Sequence, residues 1–290
     1  MNYKTLWHRL AKVYGEGEAQ AIARLIYEQR YGLTLSDILM GRDSTVPADE
    51  LEQMARRLEQ QEPIQYILGQ AEFCGRIFAV NEHVLIPRRE TEELCQRIIS
   101  NIRQETTADC SESSTDKPHP QILDIGTGSG CIAITLAANM PHSIVTAWDI
   151  SEDALVIARK NAENLGVDIN FENVNILQIP NSQPQTANNY SLIVSNPPYI
   201  CYKERADMEK NVLDYEPPTA LFVPDDDPLL FYKAIARFAG KALTPDGMLA
   251  VEINRAYGQE TCEVLKNAGF NDIQLYQDSY HNDRFVIAKK

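Results

Sequence analysis

The chain has 290 residues and carries 41 Asp and Glu against 27 Lys and Arg, a formal net charge of -14, with 44% hydrophobic and 23% charged residues. This is the composition of one large globular domain or two modest ones, and its acidity argues against a protein that holds nucleic acid through its phosphates, which calls for a Lys/Arg surface. No apolar run approaches the ~20 residues of a membrane span, Met1-Asn2-Tyr3-Lys4-Thr5-Leu6-Trp7 lacks an apolar signal segment, and Cys74, Cys95, Cys110, Cys131, Cys201 and Cys262 show no C-x-x-C spacing, so a cytoplasmic protein with free thiols is expected.

Residues 1 to about 70 read as helices. Leu6, Leu10 and Val13, then Ile22, Leu25 and Ile26, recur near helical spacing, and breaks near Gly15-Glu16-Gly17, Tyr31-Gly32 and Gly41-Arg42 cut the segment into short pieces. Thr45 to Gln61 forms another piece, with Leu51, Met54, Ala55 and Leu58 on one face. A small helical bundle is predicted, an appendage that more often recognises a partner than does chemistry. From Pro63-Ile64-Gln65-Tyr66-Ile67-Leu68-Gly69 the pattern passes into two short β-like runs, at Glu72-Phe73-Cys74 and Ile77-Phe78-Ala79-Val80, a hairpin linker over 71–86. Leu85-Ile86-Pro87-Arg88-Arg89-Glu90-Thr91-Glu92 then opens a helix to about Arg103, its Thr and acidic residues suiting the positive helix end. Gln104 to Pro120 is rich in Ser, Thr, Asp and Glu and predicts a solvated, mobile loop.

From Gln121 onward strands and helices alternate, which implies a mostly parallel sheet covered on both faces. Strands are predicted at 121–125, 144–149, 169–174, 190–195, 247–253, 272–277 and 283–288, and helices at 129–139, 152–165, 228–242 and 256–268. His8, His83, His119, His142 and His281 are dispersed, so neither a zinc site nor a Cys-His nucleophile pair is suggested.

Three stretches carry chemistry. The strand Gln121-Ile122-Leu123-Asp124-Ile125 runs into Gly126-Thr127-Gly128-Ser129-Gly130 and then a helix, so backbone can approach a ligand closely beside the unpaired N–H groups of a helix start. Its Gly-x-Gly-x-Gly spacing departs from the dinucleotide fingerprint. Asp149 ends the next strand, where a carboxylate can accept from both hydroxyls of a ribose; its competing role is to cap the helix starting near Ser151-Glu152-Asp153. Third, the apolar run Leu192-Ile193-Val194 ends in Ser195-Asn196-Pro197-Pro198-Tyr199, which brings a side-chain amide, a stiff corner with free carbonyls and a flat ring into one small space. Asn-Pro is also an ordinary turn dipeptide. Together with the glycine loop and Asp149, the corner reads as a receptor for a planar nitrogen beside a nucleoside cofactor.

These residues resemble a class I, S-adenosylmethionine-dependent methyltransferase: Asp124 to Gly130 its first motif, Asp149 its acidic second motif, and Asn196 to Tyr199 the fourth motif of members that methylate amino nitrogens. More specifically, Pro63 to Gly69, Glu72-Phe73, Gly75, Leu85 to Glu92, Tyr215-Glu216-Pro217, Ala220-Leu221, Gly247, Glu252-Ile253 and Asp283-Arg284 resemble the protein-(glutamine-N5) methyltransferases of peptide chain release factors, the HemK/PrmC family. The resemblance implies a Rossmann-like, mostly parallel seven-stranded sheet with helices on both faces, joined by a β-hairpin to a helical domain over 1–70 that docks the release factor, with the methyltransferase domain over 87–290. It implies that Gly126, Thr127, Gly128, Ser129, Gly130, Asp149, Asn175, Ile176 and Asn196 hold the cofactor. Asn196, Pro197, Pro198 and Tyr199 would bind the glutamine of a Gly-Gly-Gln loop, with Asn196, Pro197 and Tyr199 catalytic. The chain departs from the family pattern at Arg89, at Asn175 where an acidic residue often lies beside the adenine, at Ser191, in the loop Gln178 to Asn189 and at Pro224-Asp225-Asp226-Asp227-Pro228. Rival readings are a DNA adenine-N6 methyltransferase, for which the net charge is wrong, a ribosomal-protein glutamine methyltransferase, against which Pro87 to Glu92 argues, and a non-catalytic cofactor-binding adaptor. No stable nucleic-acid or membrane partner is expected.

Overall fold

In the computed structural model, which describes residues 1–108, 119–180 and 189–290, the first helix starts where the Asn2 side chain accepts the Thr5 N–H. Five helices follow one another, α1 (Tyr3–Tyr14), α2 (Glu16–Tyr31), α3 (Leu35–Leu39), α4 (Ala48–Glu59) and α5 (Ile64–Leu68). They break at the glycines the sequence marked, and they enclose Leu6, Leu10, Ile26, Tyr27, Leu51 and Leu58 in a core of their own. Arg9 of α1 bridges Glu52 and Glu59 of α4 at 2.7 and 2.6 Å.

The hairpin is β1 (Gln70–Phe73) and β2 (Arg76–Ala79), and the next helix, α6 (Arg89–Ala108), runs past the expected end near Arg103. The rest of the polar stretch expected as a loop, through residue 118, lies outside the described residues. The chain continues through β3 (Gln121–Ile125), α7 (Cys131–Asn139), β4 (Ile144–Asp149), α8 (Glu152–Leu165), β5 (Asn170–Asn173), β6 (Tyr190–Ser195) and β7 (Ile200–Cys201). Most of the loop expected over Gln178 to Asn189 also lies outside the described residues. Then come α9 (Lys210–Tyr215), α10 (Pro218–Leu221), β8 (Phe222–Val223), α11 (Leu230–Ala242), β9 (Leu243–Glu252), α12 (Gly258–Asn267), β10 (Asn271–Gln277) and β11 (Asp283–Lys289).

Contacts divide the chain into two units. One comprises Met1–Gln70, Val80–Glu82 and Met208–Glu216; the other comprises Ala71–Ala79, His83–Asp207 and Pro217–Lys290. In the first, the Tyr215 hydroxyl of α9 donates to the Gln60 carbonyl at 3.0 Å.

The second unit is built on a seven-stranded sheet in the order β10-β11-β9-β6-β3-β4-β5. The five strands from β9 to β5 are parallel, and β11 runs antiparallel to both its neighbours. Strand alternation sorts the core into two faces: Ile122, Val145, Leu192, Met248 and Ile287 pack with α6, α7 and the hairpin's Phe73 and Phe78, while Leu123, Ile193, Leu249 and Val286 pack with α11 and α12. The chain goes from β3 outward to β4 and β5, then returns to place β6 on the other side of β3. Strand order therefore reverses between β3 and β6, and ligands in such sheets bind beyond the carboxyl ends of the strands at that reversal.

Candidate active site

At the end of β3 the backbone turns through Gly126, Gly128 and Gly130, with φ of 75, 55 and 82°. These glycines differ in what surrounds them. A Cβ on Gly126 or Gly128 would meet nothing within 4 Å, whereas one on Gly130 would stand 3.0 Å from Ile134 Cδ1 and 3.2 Å from Ala158 Cβ. The first two leave room for a ligand; the third lets α7 pack on α8. The loop is anchored from below, because the Thr127 hydroxyl (2.6 Å) and the Ala133 N–H (3.2 Å) both donate to Asp124 Oδ2. Asp124 is fully buried and its Oδ1 has no partner. Burial pushes its carboxyl up to about 7, against the Thr127 and Ala133 hydrogen bonds.

Asp149, at the end of β4, accepts the Gly128 N–H on Oδ2 at 2.8 Å and the Ser151 N–H on Oδ1 at 2.9 Å. It does not cap α8: that role falls to Ser151, whose hydroxyl oxygen accepts the Ala154 N–H. Burial raises the Asp149 carboxyl above the ordinary carboxylate range, while the N–H groups of Ser151, Gly128 and Ile150 favour its charge. Asn175 spends its side-chain oxygen on the Leu177 N–H at 3.0 Å, at the start of a short turn that buries Ile176.

Beyond β6, the Ser195 hydroxyl donates to the Ile125 carbonyl at 2.7 Å and locks β6 to β3. The Asn196 amide Nδ2 donates to Thr91 Oγ1 at 3.1 Å, and the Thr91 hydroxyl donates to Glu252 Oε2 at 2.6 Å. The Tyr199 hydroxyl donates to the other carboxylate oxygen, Oε1, at 3.0 Å, and Asn254 Nδ2 donates to the Tyr199 carbonyl at 3.1 Å. Thr91 and Glu252 are 2% and 1% exposed, so the middle of this chain of bonds lies away from water, while Asn196 and Tyr199 at its ends are half-buried. Burial raises the Glu252 carboxyl, opposed by Thr91, Tyr199 and the charge of Arg284. Burial and then Glu252 hold the Tyr199 phenol well above its ordinary range.

One cavity of about 390 Å³ joins these pieces. Gly126, Thr127, Gly128, Ser129, Asp149, Asn175 and Ile176 line it on the side of β3 and β4, and Asn196, Pro197, Pro198 and Thr91 line it on the side of β6. Gly130 and Tyr199 are not on its wall: Gly130 sits close to Ile134 and Ala158, and the Tyr199 hydroxyl is bonded to Glu252. Glu252 and Asn254 had no site role in the sequence reading, and Thr91 only that of a helix-start residue, although Thr91 and Glu252 lie within motifs that carried the resemblance. Thr91 lies inside α6, which begins at Arg89, and its hydroxyl donates to Glu252. Among the described residues no cluster of His, Cys, Asp and Glu could hold a metal ion, and no helix is long and apolar enough to cross a membrane.

The family model described as PrmC N-terminal domain matches residues 6–69, and the Methyltransferase small domain model matches 111–215. A release factor glutamine methyltransferase of Bacteroides thetaiotaomicron is 43% identical over 298 residues, with all of both chains covered. Another, from Flavobacterium psychrophilum, is 42% identical, covering 98% of this chain and 97% of its own. The chain belongs to the release factor glutamine methyltransferases. Solved structures bear out the expected fold. The hMettl16 catalytic domain, in complex with a 3′UTR hairpin, is 14% identical with a TM-score of 0.53, covering 94% of this chain and 82% of its own. A T. thermophilus 16S rRNA N2 methyltransferase in complex with AdoMet and guanosine is 15% identical with a TM-score of 0.50, covering 76% and 49%.

The methyl donor of this methyltransferase is S-adenosylmethionine, and the cavity suits it. Two glycines with open space over their Cα atoms and a carboxylate fixed by two backbone N–H groups meet the needs of a nucleoside. Where the methyltransferase departs from its family's pattern, other residues make local contacts. Ser191 donates to the Gln121 carbonyl of the neighbouring strand at 3.0 Å, Arg89 begins α6, and Asp225 and Asp227 accept from Lys203 N–H and Lys233 Nζ at 2.9 and 2.7 Å.

Proposed function

We propose that this chain transfers a methyl group from S-adenosylmethionine to the side-chain amide nitrogen, N5, of a glutamine in a peptide chain release factor, working in the cytoplasm. The observation that carries the reading is the placement of Asn196, Pro197 and Pro198 on the wall of the cavity that the glycine loop and Asp149 also line. Gly126 to Ser129, Asp149 and the Asn175-Ile176 turn would hold the cofactor, with Asp149 accepting from the ribose hydroxyls through its remaining lone pairs. The cofactor supplies an electrophilic methyl on a sulfonium.

An amide nitrogen is a poor nucleophile because its lone pair is delocalised into the carbonyl, so the chain's task is to position and polarise. Asn196 Oδ1 and the Pro197 carbonyl accept the two amide N–H bonds. With both hydrogens directed at these acceptors, the nitrogen lone pair faces away from them. Tyr199, whose hydroxyl donates to Glu252 and whose carbonyl accepts from Asn254, stiffens the corner that carries these two acceptors. The helical unit over 1–70 docks the release factor.

Incubation with labelled S-adenosylmethionine and, in separate arms, a release factor, ribosomal proteins and duplex DNA tests the reading. Label found by mass spectrometry on the Gly-Gly-Gln glutamine of the release factor supports it. Label on either of the other substrates alone, or on none, sinks it.

A further inference from the structure

The hydrogen-bond chain Asn196–Thr91–Glu252–Tyr199 joins three segments of the second unit, α6, the end of β9 and the corner after β6, and one of its ends is the side chain assigned to grip the substrate. Its direction is fixed by how many protons each member has. An ionised carboxylate only accepts, and a hydroxyl has a single proton to donate. Glu252 takes the Thr91 proton on one oxygen and the Tyr199 proton on the other. Thr91 therefore has only lone pairs left to offer, and only the NH₂ end of the Asn196 carboxamide can face it. A carboxamide has two ends, so its Oδ1 is turned away from Thr91.

We propose that Thr91 is a positioning residue for methyl transfer, relaying the Glu252 carboxylate to Asn196 so that Oδ1 presents an acceptor to the substrate amide. The inference deepens the amide-methylation reading above and rests on it for what Oδ1 receives. Without the relay, the carboxamide can turn by half a revolution and present NH₂ to a substrate that itself offers N–H. Two donors would then face each other, and binding would select against the productive pose.

The relay gives the site an acid limb. Glu252 is faced by Thr91 and Glu90 from α6, by Tyr199 beyond β6 and by Arg284 from β11, while the Tyr232 hydroxyl of α11 donates to its backbone carbonyl at 3.3 Å. Arg284 is itself paired with Asp278 at 3.2 Å. When Glu252 takes up a proton it becomes a donor to Thr91. The Thr91 hydroxyl is then free to donate to Asn196 Oδ1, and the carboxamide turns. Burial sets this protonation above the ordinary carboxylate range.

The test uses Thr91→Val, which keeps the shape and removes the hydroxyl, and Thr91→Ser, which restores it; Thr91→Ala replaces Val should the latter fail to fold. Cofactor affinity is expected to stay within about twofold in all variants. Thr91→Val should lower kcat for release-factor methylation by about tenfold or more, a size set by loss of one preorganised contact at one remove, and should lose the acid limb of the kcat profile. Thr91→Ser should recover kcat to within about threefold together with the limb. A readout free of turnover is the side-chain NH₂ signal of Asn196 in ¹⁵N-asparagine-labelled protein, identified by its absence in Asn196→Ala. It should move with pH in the wild type and in Thr91→Ser, and stay still in Thr91→Val. Unchanged kcat in Thr91→Val, or an NH₂ signal that titrates identically with and without the hydroxyl, overturns the relay. If the wild type methylates no release factor, the amide-methylation reading falls separately, and the NH₂ titration still decides the relay.

Discussion

Truncating Asn196 and truncating Asp149 should separate chemistry from cofactor binding. Asn196→Ala removes the proposed acceptor for one substrate N–H but leaves the glycine loop and Asp149 in place. Methyl transfer should fall by about a hundredfold or more, the scale for losing one preorganised polar contact, with cofactor affinity nearly unchanged by calorimetry; near-normal turnover would remove Asn196 from its role. Asp149→Ala deletes the acceptor for the Gly128 and Ser151 N–H groups and, on the proposed reading, for a ribose, so cofactor affinity should drop by about tenfold or more. Unchanged binding would refute the ribose assignment. Asp124 gives a pH signature of its own. Its folded carboxyl sits near 7, above its unfolded value of about 3.9, so the native state binds this proton more tightly. Below about pH 4 both states are protonated and the group is neutral to stability; between about 4 and 7 the unfolded state ionises first, and stability falls as pH rises. Asp124→Asn should remove that part of the slope, read as a difference in Tm between variant and wild type that changes from pH 4 to 7 and flattens above. A constant difference across that range would show that Asp124 is ionised throughout.

At the scale of elements, the segment β3–loop–α7 shows what the sequence made legible. The strands at 121–125, 144–149 and 190–195 and the helix at 152–165 match the structure at both ends, because short apolar runs, as in strands covered on both faces, and clear stop signals such as Gly166 mark them. The helix α6 outran its expected end because Gln104 to Thr107 are polar without being helix breakers and Ala108 favours a helix, and polarity alone does not stop a helix. The strand β9 starts at Leu243 rather than 247, through a Pro and a Gly that weaken the strand pattern. The link from Thr91 to Glu252 spans 161 positions, and no local pattern carries it; only strand order brings the end of β9 beside the start of α6. The three glycines also looked equivalent in sequence, yet their surroundings differ. Gly130→Ala combines a left-handed backbone with contacts at 3.0 and 3.2 Å, and should lower stability in a denaturant titration by about 2 kcal/mol or more. Gly128→Ala carries the backbone penalty alone, about 1 kcal/mol, and should show mainly as weaker cofactor binding. Equal losses of stability at the two positions would contradict this division.

Across the whole molecule, two separate cores predict that damage to one unit leaves the chemistry of the other intact. Deleting residues 1–70 is a poor way to test this, because Val80–Glu82 and Met208–Glu216 belong with the helical unit and would be left without their core. A cavity inside that unit is cleaner. Leu51 is fully buried among the helices α1 to α5, and Leu51→Ala should cost about 2–5 kcal/mol there. Every residue assigned to the cofactor lies in the other unit, so the affinity for S-adenosylmethionine should stay within about twofold of wild type at temperatures where the helical unit has already loosened. If that unit docks the release factor, KM for the intact protein substrate should rise while kcat on a short glutamine peptide holds. Loss of cofactor binding in step with the loosening would mean that the two cores unfold as one. An unchanged KM would move the docking surface off the helices.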